Sequence, residues 1–374
     1  PEPQRQVAEL VVHKDAAPSI PRDQAEQFLP RDQRDAFRNL KRKIDEHQVN
    51  DPGAPPRAMV VADDKNPNNP RVFIRGDANR PGKEVPRQFL AVVEPERKPY
   101  TTGGRLELAQ AIVSPSNPLT ARVIANRVWM HHCCDPLLAN GGDFGMRSEK
   151  PVQAELLDYL ANYLRTHGWS LKELHREIML SSTYQQQSAD SNAGRAADPE
   201  NRLYWKMNRR RLEFEALRDS LLAISGRLDL TQGGRPVEIA RSQSNRRSVY
   251  AYIDRQDLPN LYRVFDVASP DTSTDRRART TVPQQALYLM NSSFAIEQAK
   301  ALVARPEIAG VASTSEKINA LYRVIFQRLP SEEEKQLGEE FIKLVTDTPA
   351  DAKLSPWEQY GQMLLMTNEF AFVD

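Results

Sequence analysis

Only two cysteines occur in the 374 residues, Cys133 and Cys134, and they are adjacent. Neighbouring cysteines cannot build a disulfide framework, and covalent haem within the chain is excluded because its attachment needs C-x-x-C-H. Glycine is sparse at 16 residues, which argues against a flexible linker protein. No run of about 18 apolar residues is present, so no membrane-spanning helix is expected. An excess of one charge is missing too: 51 Lys and Arg stand against 50 Asp and Glu. That balance argues against a nucleic-acid partner, which calls for a strong basic excess. No P-loop, dinucleotide fingerprint or G-x-S-x-G elbow occurs, so the hydroxyls of Ser181, Ser182 and Thr183 lend a serine hydrolase no support. The chain opens on Pro1 and reads as a fragment or a processed product, without a charged-then-apolar leader.

What is present is proline, 27 residues, and an apolar fraction of 40%, enough for a core and for many proline-set element ends. The length favours two packed units or one large one. Residues 22–48 read as a charged helix, with Ala25, Phe28, Leu29, Phe37, Leu40 and Ile44 on one stripe and Pro30 set to kink it. Two Pro/Asn-rich stretches, 51–56 and 65–70, read as turns. The short segments 58–62, 72–74 and 89–93 suggest a small antiparallel patch, with Arg75-Gly76-Asp77 as a turn. The first hundred residues therefore look like an annex to the helical remainder.

From Gly104 onward the pattern is helical. Helices are expected over 106–113, from Pro118 to about His132 behind an Asn117 cap, from Pro151 to about His167, and over 171–181 behind a Ser170/Glu173 capping box. Others follow at 212–225, 283–304, 315–327, 332–346 behind Ser331/Glu334, and 355–368. Residues 248–253 alternate like a half-buried strand, while 188–200 and 229–247 read as polar loops. The four tryptophans sit in amphipathic stretches and read as core. The fold class is mainly α: a multi-helix domain with a small antiparallel β component and an N-terminal helix/β annex.

Several separated motifs recur in an order that carries a resemblance. They are the run from Pro118 to His132, Gly142-Asp143-Phe144-Gly145, residues 155–161, residues 168–176, Ser181-Ser182-Thr183-Tyr184, residues 198–203, the run from Arg210 to Asp219, Arg247-Ser248-Val249-Tyr250, Phe265-Asp266 and residues 280–287. Over roughly residues 85–374 this resembles the C-terminal planctomycete-specific domain of unknown function, a helical domain, and residues 1–84 look similar to the tail of the planctomycete-specific domain that precedes it in that family. The resemblance implies an extracytoplasmic setting, periplasmic or cell surface, and neighbouring domains in a longer chain, among them a cytochrome-c-like one. Any haem would lie in such a neighbour or partner, and no cofactor is expected in this chain. Two departures stand out. Cys133-Cys134 replace an aromatic and a glycine, and Pro151-Val152-Gln153-Ala154 lacks the family's histidine.

Three uses of the polar residues stay open. His131 and His132, followed by Cys133, Cys134 and Asp135, offer soft-metal ligands. Helical neighbours point about 100° apart, however, and zinc spacings are missing, so no metal site is expected. Asp143, on a glycine-flanked loop, suits a general base beside His131 or His132, or else a simple turn cap. Arg210 and Arg211, with Arg127, suit anion binding. Alternatively they join a helical network running Arg211–Glu215–Arg218 and reaching Arg122 or Arg127 of the earlier helix. Residues 195–290 carry a net charge of +5 and residues 331–374 one of −7, an asymmetry fit to steer a partner. The leading expectation is a non-catalytic helical scaffold or interaction module. A hydrolase or carbohydrate-active enzyme with an Asp/His/Arg site is the alternative, and a metal-binding module the third.

Overall fold

The structure, a computed structural model, describes residues 29–51, 53–54, 58, 60–240, 244–347 and 354–373. Among the described residues there are fifteen α-helices and two small two-stranded antiparallel sheets, so the chain is mainly α with a minor β component. It divides into two compact units, residues 1–86 with 101–105 and residues 87–100 with 106–374.

In the first unit, α1 (Arg31–Asn50) begins directly after Pro30. A proline has no N–H to contribute and a preset φ, so the expected kink is a helix start. Residues 22–28, including Ala25 and Phe28 of the stripe, lie outside the described residues, as do Pro52, Pro55, Pro56 and Met59 of the next two segments. Phe37, Leu40 and Ile44 are exposed, and no described residue between 29 and 86 is buried. Strands β1 (Arg71–Phe73) and β2 (Pro81–Glu84) pair antiparallel around a turn in which Arg75 (φ 56°) and Gly76 (φ 79°) are left-handed.

The second unit starts with a correction: residues 89–93 form a turn and no strand, because the amides of Val93 and Glu94 both donate to Leu90 O. Helices α2 (Arg105–Val113), α3 (Thr120–Cys133), α4 (Ala154–Thr166), α5 (Leu171–Met179) and α6 (Asn192–Ala197) come next. Strand β3 (Arg210–Arg211) leads to α7 (Phe214–Ile224), α8 (Asn260–Val264), α9 (Pro283–Asn291), α10 (Ser293–Val303) and α11 (Pro306–Ala309). The chain ends with α12 (Thr314–Phe326), α13 (Glu332–Asp347), α14 (Pro356–Leu365), α15 (Asn368–Ala371) and β4 (Phe372–Val373). Two apolar cores result. One joins α3, α4 and α5 through Ala125, Trp129, Leu157, Leu160, Leu164 and Leu174. The other joins α7, α10, α12 and α14 through Leu221, Leu302, Leu321 and Leu364. Each fully buried leucine contributes about 1.5–3 kcal/mol.

Several boundaries differ from the sequence pattern for local reasons. Helix α3 begins at Thr120 with Leu119 as its N-cap and no side-chain cap, so Asn117 and Pro118 lie ahead of the helix. Asn117 Oδ1 accepts from Leu119 N at 2.9 Å in a turn, and its Nδ2 donates to Ala111 O and Ile112 O, tying the end of α2 to the approach to α3. Within 188–200, Ser191 caps α6, and Gly194 packs so tightly on the Trp205 ring that a Cβ there would clash. Ser292 and Thr367, acting as N-caps, split the expected helices 283–304 and 355–368 in two. Residues 248–253 are no strand: Ser248–Tyr250 is a 3-10 turn, and only Ala251 bridges to Val237. Trp129 is core, whereas Trp169, left-handed at φ 61° after Gly168, is exposed.

Candidate functional site

The amide of Leu212 donates to Ala371 O at 2.8 Å, and Arg210 and Arg211 lie opposite Val373 and Phe372. This pairing with the chain's far end makes residues 210–211 a strand and delays α7 to Phe214. The expected Arg211–Glu215 pair along a helix therefore does not form. Arg211 donates instead to Thr280 O at 3.4 Å and to Gln285 Oε1. Glu215 is gripped by the Arg277 fork, at 2.7 and 2.9 Å, and Glu213 lies 3.0 Å from the same guanidinium. Burial, the largest single influence, would raise the Glu215 carboxyl, but the Arg277 hydrogen bonds, a backbone hydrogen bond and the Arg277 charge together hold it below the usual glutamate range. Arg122, expected to reach this helix, pairs with Asp158 on α4 at 2.5 Å.

Strand β3, one face of α7, residues 247–253, α8 and the end of α3 enclose a cavity of about 620 Å³. His131, Arg210, Arg211, Asp219, Arg247 and Tyr262 supply its chemistry. Arg210 is braced against α3, its Nη1 donating to His131 O at 2.8 Å. Behind the cavity wall, Arg218 is 2% exposed. Its Nη1 donates to Arg246 O at 2.9 Å and Ser248 Oγ at 3.2 Å, and its Nη2 to Ser244 O. Burial pulls its pKa below the ordinary arginine value, against the attraction of Asp219, whose Oδ1 is 3.6 Å away. Asp219 accepts from both Ser248 N (2.8 Å) and Ser248 Oγ (2.7 Å). Arg247 lies 4.0 Å from Asp219 with 53% of its side chain exposed, the most loosely held cation of the cleft.

The cleft thus unites three of the residues singled out from sequence, His131, Arg210 and Arg211. It does not include Asp143, His132 or Arg127. Asp143 closes a turn, its Oδ1 accepting from Gly145 N at 2.8 Å, while Phe144 packs on the first core. Arg127 is exposed on α3. His132 Nε2 and His175 Nδ1 share a hydrogen bond at 2.7 Å, with Tyr184 edge-on to the His132 ring. Burial, then His175 and Arg210, lower the His132 pKa. The cysteines are buried, and desolvation pushes the Cys133 thiol up to about 12, which disfavours the thiolate a metal needs. Among the described residues, no group of three or more His, Cys, Asp or Glu is arranged to hold a metal ion.

Asp219, Arg247, Ser248 and Tyr262 were not singled out from sequence. The first three lie in two of the motifs that carry the resemblance, Asp219 closing one and Arg247-Ser248 opening the other, a signal available beforehand, whereas Tyr262 carried none. Residues 104–342 match the model of a protein family, PSD1, described as a protein of unknown function (DUF1553). No curated protein and no solved structure matches the chain.

Proposed function

Since the chain belongs to the PSD1 family of unknown function (DUF1553), we propose a role drawn from the cleft: a non-catalytic helical module that docks an anionic group of a ligand or partner. The observation that carries this is the convergence of Arg210, Arg211, Arg247 and His131 on one open cavity. Guanidinium forks match carboxylates in shape and charge. Binding is favoured over catalysis because Ser248 is 3% exposed, donates to Asp219 and accepts from Arg218, so it is no free nucleophile. The resemblance read from sequence adds an exported assembly with a cytochrome-c-like neighbour as the setting of this module.

Calorimetric titration with benzoate against benzyl alcohol tests the reading. Benzoate binds and the alcohol does not, and Arg247→Gln weakens benzoate about tenfold, the loss of roughly one charge-assisted hydrogen bond. Equal binding of the two probes, or an unaffected variant, overturns it. A hydrolase is the second reading, favoured by Asp219 and His131 lining the same cavity. Turnover of nitrophenyl esters or glycosides that disappears in Asp219→Asn would establish it.

A further inference from the structure

We infer that the cleft takes the C-terminal end of an extended peptide, its backbone pairing with the free edge of β3 and its carboxylate meeting Arg210 and Arg247. This rests on the anion-docking reading and names the chemistry of the partner. Leu212 N donates to Ala371 O at 2.8 Å, which fixes the phase of the β3–β4 ladder. Backbone groups of successive residues in an antiparallel pair face alternate sides. Arg211, one residue earlier and opposite Phe372, therefore turns its N–H and C=O away from β4. Among the described residues no third strand takes up those groups, since the sheet has two strands. The cavity touches four consecutive residues, Arg210 to Glu213, and neither residue of β4, so it runs along that free side. The Arg211 side chain is engaged by Thr280 O and Gln285 Oε1, which leaves its backbone for a guest. An unpaired strand edge is a template for another chain.

The rest of the cavity fits a peptide end. Arg210 uses Nη1 on His131 O, and Arg247 lies 4.0 Å from Asp219, so both keep N–H groups for a carboxylate. Val249 and Ile253, 68% and 42% exposed, line the same cavity and give peptide side chains an apolar wall. Strand β3 is two residues long and only Arg211 faces outward, so a single residue of the guest pairs with it. Pairing that short suits the end of a chain. The cavity is walled by α7, residues 247–253, α8 and the end of α3, and an end needs one opening where an internal segment needs two. At about 620 Å³ it is the size of a small-molecule site, which admits a short peptide end and no folded domain. Strand addition supplies affinity through the main chain, and capture of the carboxylate supplies the preference for an end.

The test titrates N-acetyl-Ala-Ala-Val into the full chain by calorimetry, as the free acid, as the C-terminal amide, and as the acid N-methylated at each of its amides in turn. The acid binds about tenfold more tightly than the amide, and Arg247→Gln narrows that gap. Methylation at one position weakens the acid about tenfold, the value of one hydrogen bond. Methylation at the neighbouring positions has little effect, because alternate amides face away from β3. The inference falls, and the docking reading stands, if benzoate binds but the acid has no advantage over its amide. It falls in the same way if methylation is tolerated, or costs the same, at every position. If neither benzoate nor the peptide acid outbinds its neutral counterpart, both readings fall.

Discussion

Arg218 lies almost wholly out of water, yet four groups depend on it: the carbonyls of Ser244 and Arg246, the Ser248 hydroxyl and the Asp219 carboxylate. An isolated buried charge is costly, and here hydrogen bonds on both terminal nitrogens of the guanidinium, Nη1 and Nη2, offset that cost. Arg218→Met removes the charge, leaves the Ser244 and Arg246 carbonyls without this donor, and leaves Asp219 with Ser248 and only the more distant Arg247 to offset its charge. Urea denaturation should show a loss of about 3–5 kcal/mol, the range for breaking one side of a buried ion pair. The cysteines make the opposite point. Beside His131 and His132 they offered soft-metal ligands in sequence, but Cys133 is fully buried and Cys134 Sγ donates to Asn208 O at 3.3 Å. At pH 8, iodoacetamide should leave both unmodified in the native protein and alkylate both after denaturation, as mass spectrometry would record.

At the scale of elements, capping chemistry was legible and tertiary pairing was not. The Ser331/Glu334 box on α13 forms as the spacing predicts, with Glu334 N donating to Ser331 Oγ at 3.2 Å and Ser331 N to Glu334 Oε2 at 2.7 Å. What the spacing could not show is Arg328, which grips both Glu334 and Glu369 and so ties α13 to α15. Hydrogen bonds from Arg328 hold the Glu334 carboxyl down to about 2, from an ordinary 4.5. A depressed carboxyl contributes stability above its unfolded value and loses it as pH falls through the folded one. Wild type should therefore lose stability between about pH 4.5 and 2 more steeply than Glu334→Gln in thermal melts, and the two should converge near pH 2. Gly338, in the middle of α13, owes its place to packing. A Cβ there would fall onto the Tyr360 hydroxyl and within 3.0 Å of Ile318 Cδ1. Gly338→Ala should cost about 1–3 kcal/mol despite its better helix propensity, because an overpacked core outweighs that gain. A lower urea midpoint with an unchanged slope would record it.

Over the whole molecule, the second unit has two cores joined by the segment 198–211. Asn208 is a central link, its Nδ2 donating to Cys133 O at 3.1 Å and its Oδ1 accepting from Asn201 Nδ2 at 2.9 Å. Tyr204 adds a second link, accepting from Trp129 Nε1 and donating to Asp135 O. Asn208→Ala should weaken the joint by about 1–3 kcal/mol, the cost of leaving buried polar groups unpaired. Thermal transitions followed by a lone Trp129 and by far-UV circular dichroism should then separate, while in wild type they coincide. The near balance of 51 against 50 charges is repeated locally, since arginines and carboxylates both line the cleft.

The sequence by itself determined the helical class, most helix positions and their caps, because amphipathic spacing and capping act within a few residues along the chain. It also marked His131, Arg210 and Arg211, since runs of such residues stand out wherever they fall. Only the tertiary structure decided that residues 210–211 are a strand, that Asp143 stays out of the cleft, and that Asp219, Arg247 and Tyr262 enter it. Asp143 is held by a turn bond two residues long, but the strand and the make-up of the cleft depend on contacts between residues tens to more than a hundred positions apart, and no local periodicity encodes where such partners meet.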